Sequence, residues 1–553
     1  MDRIERYFDI AIKSPDGIKK LRQLILSLAM QGKLVPQDPN DPPASELLKE
    51  IESEKKKLIK EGKIKKQDPL PPIKPEEVPY ALPAGWEWVR LVQVLEIYNG
   101  RAYKANELLD SGTPVLRVGN LFTSNHWYYS NLSLEESKYI NKGDLIFAWS
   151  ASFGPFIWTG TKVIYHYHIW KLSLHKEDEI LKAYLYKFLS EKTFEIQASG
   201  HGIAMKHMTK ERMEKLLTPL PPLAEQKRIV AKVDALMALC DKLEAERDAR
   251  NAKRVAVQKT ALDRLLAAQD QAAFDSAWAF IARNFADLYS VPENVAELKK
   301  AILQLAVMGK LVPQAPNDQP ASELLKEIEA EKKKLIKAGK IKKQEPLPPI
   351  KPEEVPYALP TGWEWVRLGT VGEINPRNNA TDEMNAAFIP MPLIYAEYGK
   401  PHRFENKKWG EIKKGFTHFA EGDVVLAKIT PCYENKKSCV IKGIPNGIGA
   451  GTTELHVFRN SFRGIFPEFV LLFIKSPRFI LEGIPLMTGS AGQKRIPKDY
   501  FAGAIFPLPP LAEQKRIVAK VDALMALCDA LELQLKDATD KQTAILKAVV
   551  AAM

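Results

Sequence analysis

The segment Pro219–Asp241, PLPPLAEQKRIVAKVDALMALCD, returns letter for letter at Pro507–Asp529, 288 residues further on. Twenty-three identical residues do not recur by chance, so the chain is an internal duplication. In each copy a proline-stopped strand end, PLPPL, leads into a long helical pattern whose first turn passes from acidic to basic through AEQKR. In the second copy Ile517, Val521, Leu524, Cys528, Leu531, Leu535, Ala538, Gln542, Ile545 and Val549 step by four and three, the spacing of a coiled-coil seam. The first copy keeps that seam through Ile229, Val233, Leu236, Cys240 and Leu243. It then meets Arg247, Arg250 and Arg254 before returning at Val257 and Ala261. Two like helices with one apolar stripe each most simply bury those stripes against each other.

A second repeat runs at an offset of 277. Lys33–Pro36 matches Lys310–Pro313, ASELLKEI from Ala44 matches the same string from Ala321, and Trp86 and Trp88 match Trp363 and Trp365. By this offset residue 1 corresponds to 278, and by the other residue 553 corresponds to 265, so only about a dozen residues lack a counterpart. Read as a circle, the repeating unit is helix, basic segment, variable domain. Written twice and cut open between the second helix and the first basic segment, it implies a pseudo-two-fold object with antiparallel long helices. The fold class expected is α+β, with two β-rich mixed domains separated by those helices.

The boundaries follow from the repeats: 1–80 as a helical and basic segment, 81–218 as the first variable domain, 219–357 as helix plus repeated basic segment, 358–506 as the second variable domain, and 507–553 as the last helix. Leu21, Leu24, Ile25 and Leu28 fall on one helical face, with Gln31-Gly32 as a stop. Ser45 is expected to cap the next helix. Its lysine run, Lys55 to Lys66, repeats at Lys332 to Lys343 and reads either as a solvated face or as phosphate contact. Residues 69–83 form a proline-rich extended strap. In the variable domains, 112–121, 142–152, 161–174, 421–431, 437–445 and 454–460 alternate in the manner of strands. Both domains close on a glycine-containing basic loop, 199–208 and 488–497.

No run approaches the roughly 18 apolar residues of a membrane span. MDRIERYFDI lacks the layout of a secretory signal, and four cysteines fit a reducing cytoplasm. The net charge of +12 favours a polyanionic partner. The motifs of catalysis are missing: no P-loop, no Asp/Asn-Pro-Pro-Tyr/Phe of an amino-group methyltransferase, no glycine-rich nucleotide fingerprint. His166 and His168 share a face if they lie in a strand, but no cysteine or carboxylate stands at zinc-ligand spacing nearby. Polar, aromatic and basic loops on β-rich domains instead suit base edges and phosphates. The candidates for DNA contact are Arg117, Asn120, Trp149, Ser150 and Lys206 in the first domain. Those in the second are Arg377, Asn378, Lys428, Lys436, Lys437, Gln493, Lys494 and Arg495.

The strings PLPPLAEQKRIV, GDLIFAWSASFGPFIW, LRVGN, GSAGQKRIP and LPAGWEWVRL resemble the specificity subunits of type I restriction–modification systems, and the likeness extends to the repeat order. The resemblance implies two target recognition domains, each reading half of a split site in double-stranded DNA, with long helices setting the gap. It implies two methyltransferase subunits and added restriction–translocase subunits as partners in a prokaryotic cytoplasm, without a membrane. S-adenosylmethionine, ATP and magnesium would belong to those partners, and this chain would itself be non-catalytic. A stand-alone DNA-binding or scaffold protein is the alternative.

Overall fold

The computed structural model describes residues 16–66, 70–150, 152–198, 209–343, 345–490 and 492–552, apart from the side chains of 195–198, 546–547 and 549–552. The chain divides into two compact units. One comprises residues up to Ala249 with those from Ala538 on, the other Arg250–Asp537. Each unit therefore holds the opening of one long helix and the closing turns of the other.

In the first unit α1 (Gly17–Met30) buries Ile18, Leu21, Leu24 and Ile25. It stops where Gly32 adopts φ +67°, with Pro83 2.4 Å from where a Cβ would stand. The next helix, α2 (Ala44–Lys60), starts two residues earlier than a Ser45 cap implies and has no side-chain cap. Ala44 N–H donates to the Gly85 carbonyl at 2.8 Å, so the returning strap, rather than Ser45, satisfies the first turn. The lysine run is laced with carboxylates: Lys56 pairs with Glu52, Lys57 with Glu54 and Lys63 with Glu61.

Strand β1 (Glu87–Arg90) opens the β-rich part, followed by β2 (Leu95–Asn99), β3 (Thr113–Leu116), β4 (Tyr128–Ser130), β5 (Tyr139–Ile140), β6 (Leu145–Ser150), β7 (Ser152–Ile157), β8 (Val163–Tyr165) and β9 (Ile169–Leu174). Helix α3 (Glu179–Ala198) follows, then β10 (Leu217–Leu220), which returns to pair with β1. The sheets run β2-β9-β6-β7 and β4-β3-β8-β5, with β3 and β8 parallel. Two sequence expectations change here. The pattern 112–121 is strand only to Leu116, because the Asn120 side chain accepts from the Arg117 N–H and turns Val118–Phe122 into a short helix. The pattern 161–174 is two strands, broken by a turn at His166–His168, so these histidines do not share a strand face.

The long helix α4 (Leu223–Ala267) opens in the first unit. Its stripe residues Ile229, Val233 and Cys240 are buried, and Leu236 and Leu243 pack at the edge. They join one core with Ile18, Leu21 and Ile25 of α1 and Leu181, Leu185 and Phe188 of α3. Burial of stripe on stripe is therefore not how these turns are covered. The amphipathic α1 needs an apolar partner too, and the helix opening supplies it.

In the second unit the final turns of α4 share one core with helix α5 (Gln271–Arg283), α6 (Pro292–Val307) and α7 (Ala321–Lys337). Val257 is exposed and Gln258 is buried in its place, donating to the Asn294 carbonyl, while Ala261 is buried as the seam expects. Arg254 forms an ion pair with Asp287, and Arg247 pairs with Asp248 and Glu244. These arginines, unassigned from sequence, thus hold intramolecular partners.

The strands β11 (Glu364–Arg367), β12 (Glu373–Ile374), β13 (Asn385–Ile389), β14 (Glu405–Lys408), β15 (Thr417–Ala420), β16 (Val424–Ala427), β17 (Ser438–Val440), β18 (Ile448–Gly451) and β19 (Leu455–Arg459) repeat the first arrangement: β12-β19-β16-β17 and β14-β13-β18-β15. Where α3 is one helix, its counterpart is broken into α8 (Pro467–Lys475) and α9 (Pro477–Gly483). Pro477 cannot continue a helix, and Ser476 caps the new one. Then β20 (Ile505–Leu508) pairs with β11, and α10 (Leu511–Ala552) buries Ile517, Val521 and Cys528 against α6 and α8, with Leu524 and Leu531 at the edge.

Candidate nucleic-acid interface

Both β-rich domains are built on one turn. Asp144 accepts from the Asn141 N–H at 2.7 Å and pairs with Lys171 at 2.8 Å. Asp423 accepts from the Ala420 N–H at 2.7 Å and pairs with Arg459 at 2.7 Å. From each turn the central strand runs outward, KGDLIFAW in one domain and EGDVVLAK in the other, in ungapped correspondence. At its end the Trp149 N–H donates to the His168 carbonyl at 3.1 Å, and the Lys428 N–H to the Glu454 carbonyl at 2.9 Å. Trp149 and Lys428 thus occupy the same scaffold position.

Around Trp149 the site is aromatic. Its indole N–H donates to the Tyr167 carbonyl at 3.0 Å, its ring stacks on Trp170 at 5.5 Å and meets the edge of His168 at 5.1 Å. Trp149 is half-buried and Tyr167 exposed. Arg117 is exposed, with its guanidinium 5.2 Å from the Tyr128 ring centroid. Burial first, then His168 and then Arg117, holds His166 at about 4, and burial followed by the Arg117 charge holds His168 below the usual range, so the turn carries neutral imidazoles at neutral pH. Ser150 is half-buried opposite Ser152 in the β6–β7 register. Asn120 is engaged locally, accepting from Arg117 N–H and donating to the His126 carbonyl at 2.8 Å. Lys206 lies outside the described residues. Tyr167 and His168 were not among the sequence candidates. The alternation around them is the same for a continuous strand as for two strands joined by a tight turn.

Around Lys428 the site is ionic. Thr430 N–H donates to the Lys494 carbonyl and Ile496 N–H to the Lys428 carbonyl, so the loop of Gln493, Lys494 and Arg495 lies alongside the strand end. Gln493 and Lys494 are exposed. Arg495 clasps Glu454 with Nε and Nη2 at 2.9 Å, and this bond holds the Glu454 carboxyl below its ordinary range. Arg377 and Asn378 stand elsewhere in the domain. Asn378 N–H donates to His418 Nδ1 at 3.1 Å and its amide to the Phe419 carbonyl at 2.6 Å, while its oxygen accepts from Arg459. His418 Nε2 therefore donates to the Lys413 carbonyl, leaving the exposed Arg377 directed at the Phe416 carbonyl. Lys436 and Lys437 form a third group, Lys437 donating to the Met391 carbonyl at 3.2 Å.

Among the described residues no group of three or more His, Cys, Asp or Glu is placed to hold a metal ion, and no helix is long and apolar enough to cross a membrane. A family model described as the type I restriction modification DNA specificity domain matches residues 83–250 and 360–539. Together these cover more than half the chain, which belongs to that family. The chain is 55% identical over 249 residues to the type I restriction enzyme EcoAI specificity subunit of Escherichia coli, covering 45% of this chain and 42% of that one. It is 50% identical over 268 residues to the EcoEI specificity subunit of Escherichia coli, covering 48% and 44%. These matches span less than half the length of either relative. The EcoKI specificity subunit of Escherichia coli K12 is 20% identical over 503 residues, 85% of this chain and 88% of that one. Among solved structures, the HsdS subunit from Thermoanaerobacter tengcongensis aligns with a TM-score of 0.39 at 19% identity, covering 86% of this chain and 98% of that one.

Proposed function

We infer that this chain is the DNA-specificity subunit of a type I restriction–modification complex. Each β-rich domain contacts one half of a bipartite duplex target. The duplicated framework holds both domains and positions two methyltransferase subunits, to which restriction–translocase subunits are added. The observation that carries this reading is the pair Trp149 and Lys428, one scaffold position bearing two chemistries. An indole offers an apolar face to a thymine methyl or a sugar, whereas an ammonium donates to guanine acceptors or to phosphate. A framework repeated with such divergence suits one task performed on two targets, and the charge of +12 suits a polyanion.

In this reading Arg117, Lys428, Gln493 and Lys494 reach DNA. Asn120, Asn378 and Arg495 hold the loops that present them. The chain is non-catalytic, S-adenosylmethionine, ATP and magnesium serve the partner subunits, and the complex works in a prokaryotic cytoplasm. The test is methylome sequencing of a host expressing the neighbouring methyltransferase with and without this chain. A split motif of two short half-sites that appears only with the chain is the expected result. Methylation that ignores its presence would return the protein to the class of stand-alone DNA-binding scaffolds.

A further inference from the structure

The two units treat one repeated lysine–aspartate pair differently. At the 288-residue offset Lys187 corresponds to Lys475 and Asp234 to Asp522. In the first unit Lys187 forms an ion pair with Asp234. In the second the aspartate is taken by another residue, since Tyr398 Oη donates to Asp522 at 2.7 Å. Lys475 is left 1% exposed, and among the described residues its ammonium donates only to the carbonyls of Ala396 and Lys436, each at 2.9 Å.

The side chain of Lys436 lies beside it, half-buried, with neither a hydrogen bond nor an ion pair among the described residues. The residue is held at φ +61°. Lys300, whose own partner is Glu297, is the next cation. The three lysines share the wall of a cavity of about 630 Å³ beneath the loop 396–400, lined on its far side by α10. The neighbouring acids are already engaged: Asp522 by Tyr398, Asp529 and Glu532 by Lys299, Glu397 of the same cavity wall by Lys400, and Glu297 by Lys300. Two adjacent ammonium groups in a half-enclosed site repel each other unless a counter-charge lies between them. Burial first, and then the Lys436 charge, lowers the Lys475 pKa to about 7.

We propose that Lys436 and Lys475, with Lys300 at the rim, form a binding site for a phosphate-type oxyanion in the second unit only. The ligand class follows from the donors: two compact ammonium groups that can converge on one tetrahedral anion, in a cavity with room for it. The site is independent of the half-site contacts assigned above. Both a free phosphate and a DNA backbone phosphate carry this chemistry.

The test is calorimetric titration of the full chain with inorganic phosphate at constant ionic strength, followed by the same titration of Lys436→Met and Lys475→Met. Saturable binding, weakened roughly tenfold or more in either variant, is expected, that being the worth of one charge-assisted hydrogen bond. Should Lys475→Met fail to fold, Lys436→Met decides, because the Lys436 side chain has no hydrogen bond or ion pair among the described residues to lose. Displacement of phosphate by a short duplex would assign the site to DNA backbone, and retention would assign it to a free anion. Absence of saturable binding, or binding unchanged in Lys436→Met, overturns the proposal.

Discussion

The Trp86 indole N–H donates to the buried carboxylate of Glu225 at 2.9 Å, locking the strap that precedes the first β-rich domain to the helix that follows it. Gln37 donates to the same carboxylate at 3.1 Å, and Asp41 pairs with Arg228. The second copy repeats every part: Trp363 to Glu513 at 3.0 Å, Gln314 to Glu513 at 3.2 Å, and Asp318 with Arg516. The AEQKR string is therefore a clasp between segments far apart in the chain, beyond its role as a helix first turn.

Removing the clasp should destabilise its unit. Glu513→Ala leaves the indole N–H and the Gln314 amide without an acceptor, and a cost of about 3 kcal/mol is expected from unpaired buried donors. Glu513→Gln, which keeps one acceptor, should cost about 1 kcal/mol. Denaturant unfolding of the two variants checks the order, and equal stability of Glu513→Ala and wild type would rule the clasp out as a stabilising device.

The same carboxylates should leave a pH signature. Burial raises the pKa of Glu225 and Glu513 above the ordinary carboxylate value, against the opposing hydrogen bonds from tryptophan and glutamine. A folded-state pKa raised above the unfolded one gives a contribution complete below the unfolded value, about 4.3. It is lost as pH rises through the folded value. The melting temperature of the doubly substituted Glu225→Gln, Glu513→Gln chain should therefore gain on wild type between about pH 4 and pH 7. A difference that stays flat over that range would contradict the assignment.

The two strand ends should act on separate halves of a target. Trp149→Ala is expected to relax sequence preference at one half-site and Lys428→Ala to weaken only the other, each by about 1–3 kcal/mol. Half-site substitution series read by methylation or duplex binding separate the two. Loss spread evenly over both half-sites would sink the assignment.

Lys494 offers a different readout. It is exposed, and its ammonium has no hydrogen bond among the described residues. Lys494→Ala should weaken duplex binding uniformly across sequences. It should also lower the slope of log affinity against log salt by about 0.9, as loss of one phosphate contact does. An unchanged slope would remove Lys494 from the interface.

On the proposed function the long helices act as a ruler. At roughly 1.5 Å per residue, the 45 residues of α4 make a rod of about 65 Å, longer than a DNA turn of ~34 Å. Deleting one heptad from both α4 and α10 should alter the spacer preferred between half-sites and leave the half-site sequences alone. Methylome motifs with an unchanged spacer would count against helices as the ruler.

The sequence by itself determined the duplication, both long helices and the short amphipathic α1, because letter-for-letter repeats and 3.6-residue periodicity act through local physics. Whatever forms around Glu225 must form around Glu513 when the contributing residues are the same in both copies. Tertiary structure decided what those patterns touch. The stripe at Ile229 and Val233 accepts α1 and α3 as readily as a second long helix, and apolar periodicity carries no address. His166–His168 turns back because Tyr165 and Ile169 belong to different sheets, a long-range pairing that alternation does not encode. Asn378, a plausible base reader by residue type, is engaged by His418, Phe419 and Arg459, groups that only the fold brings near, whereas Asn120 is taken up by its own turn. Lys187 and Lys475 differ for the same reason: each sits at one helix position, and the residue that reaches the facing aspartate comes from a different part of the chain.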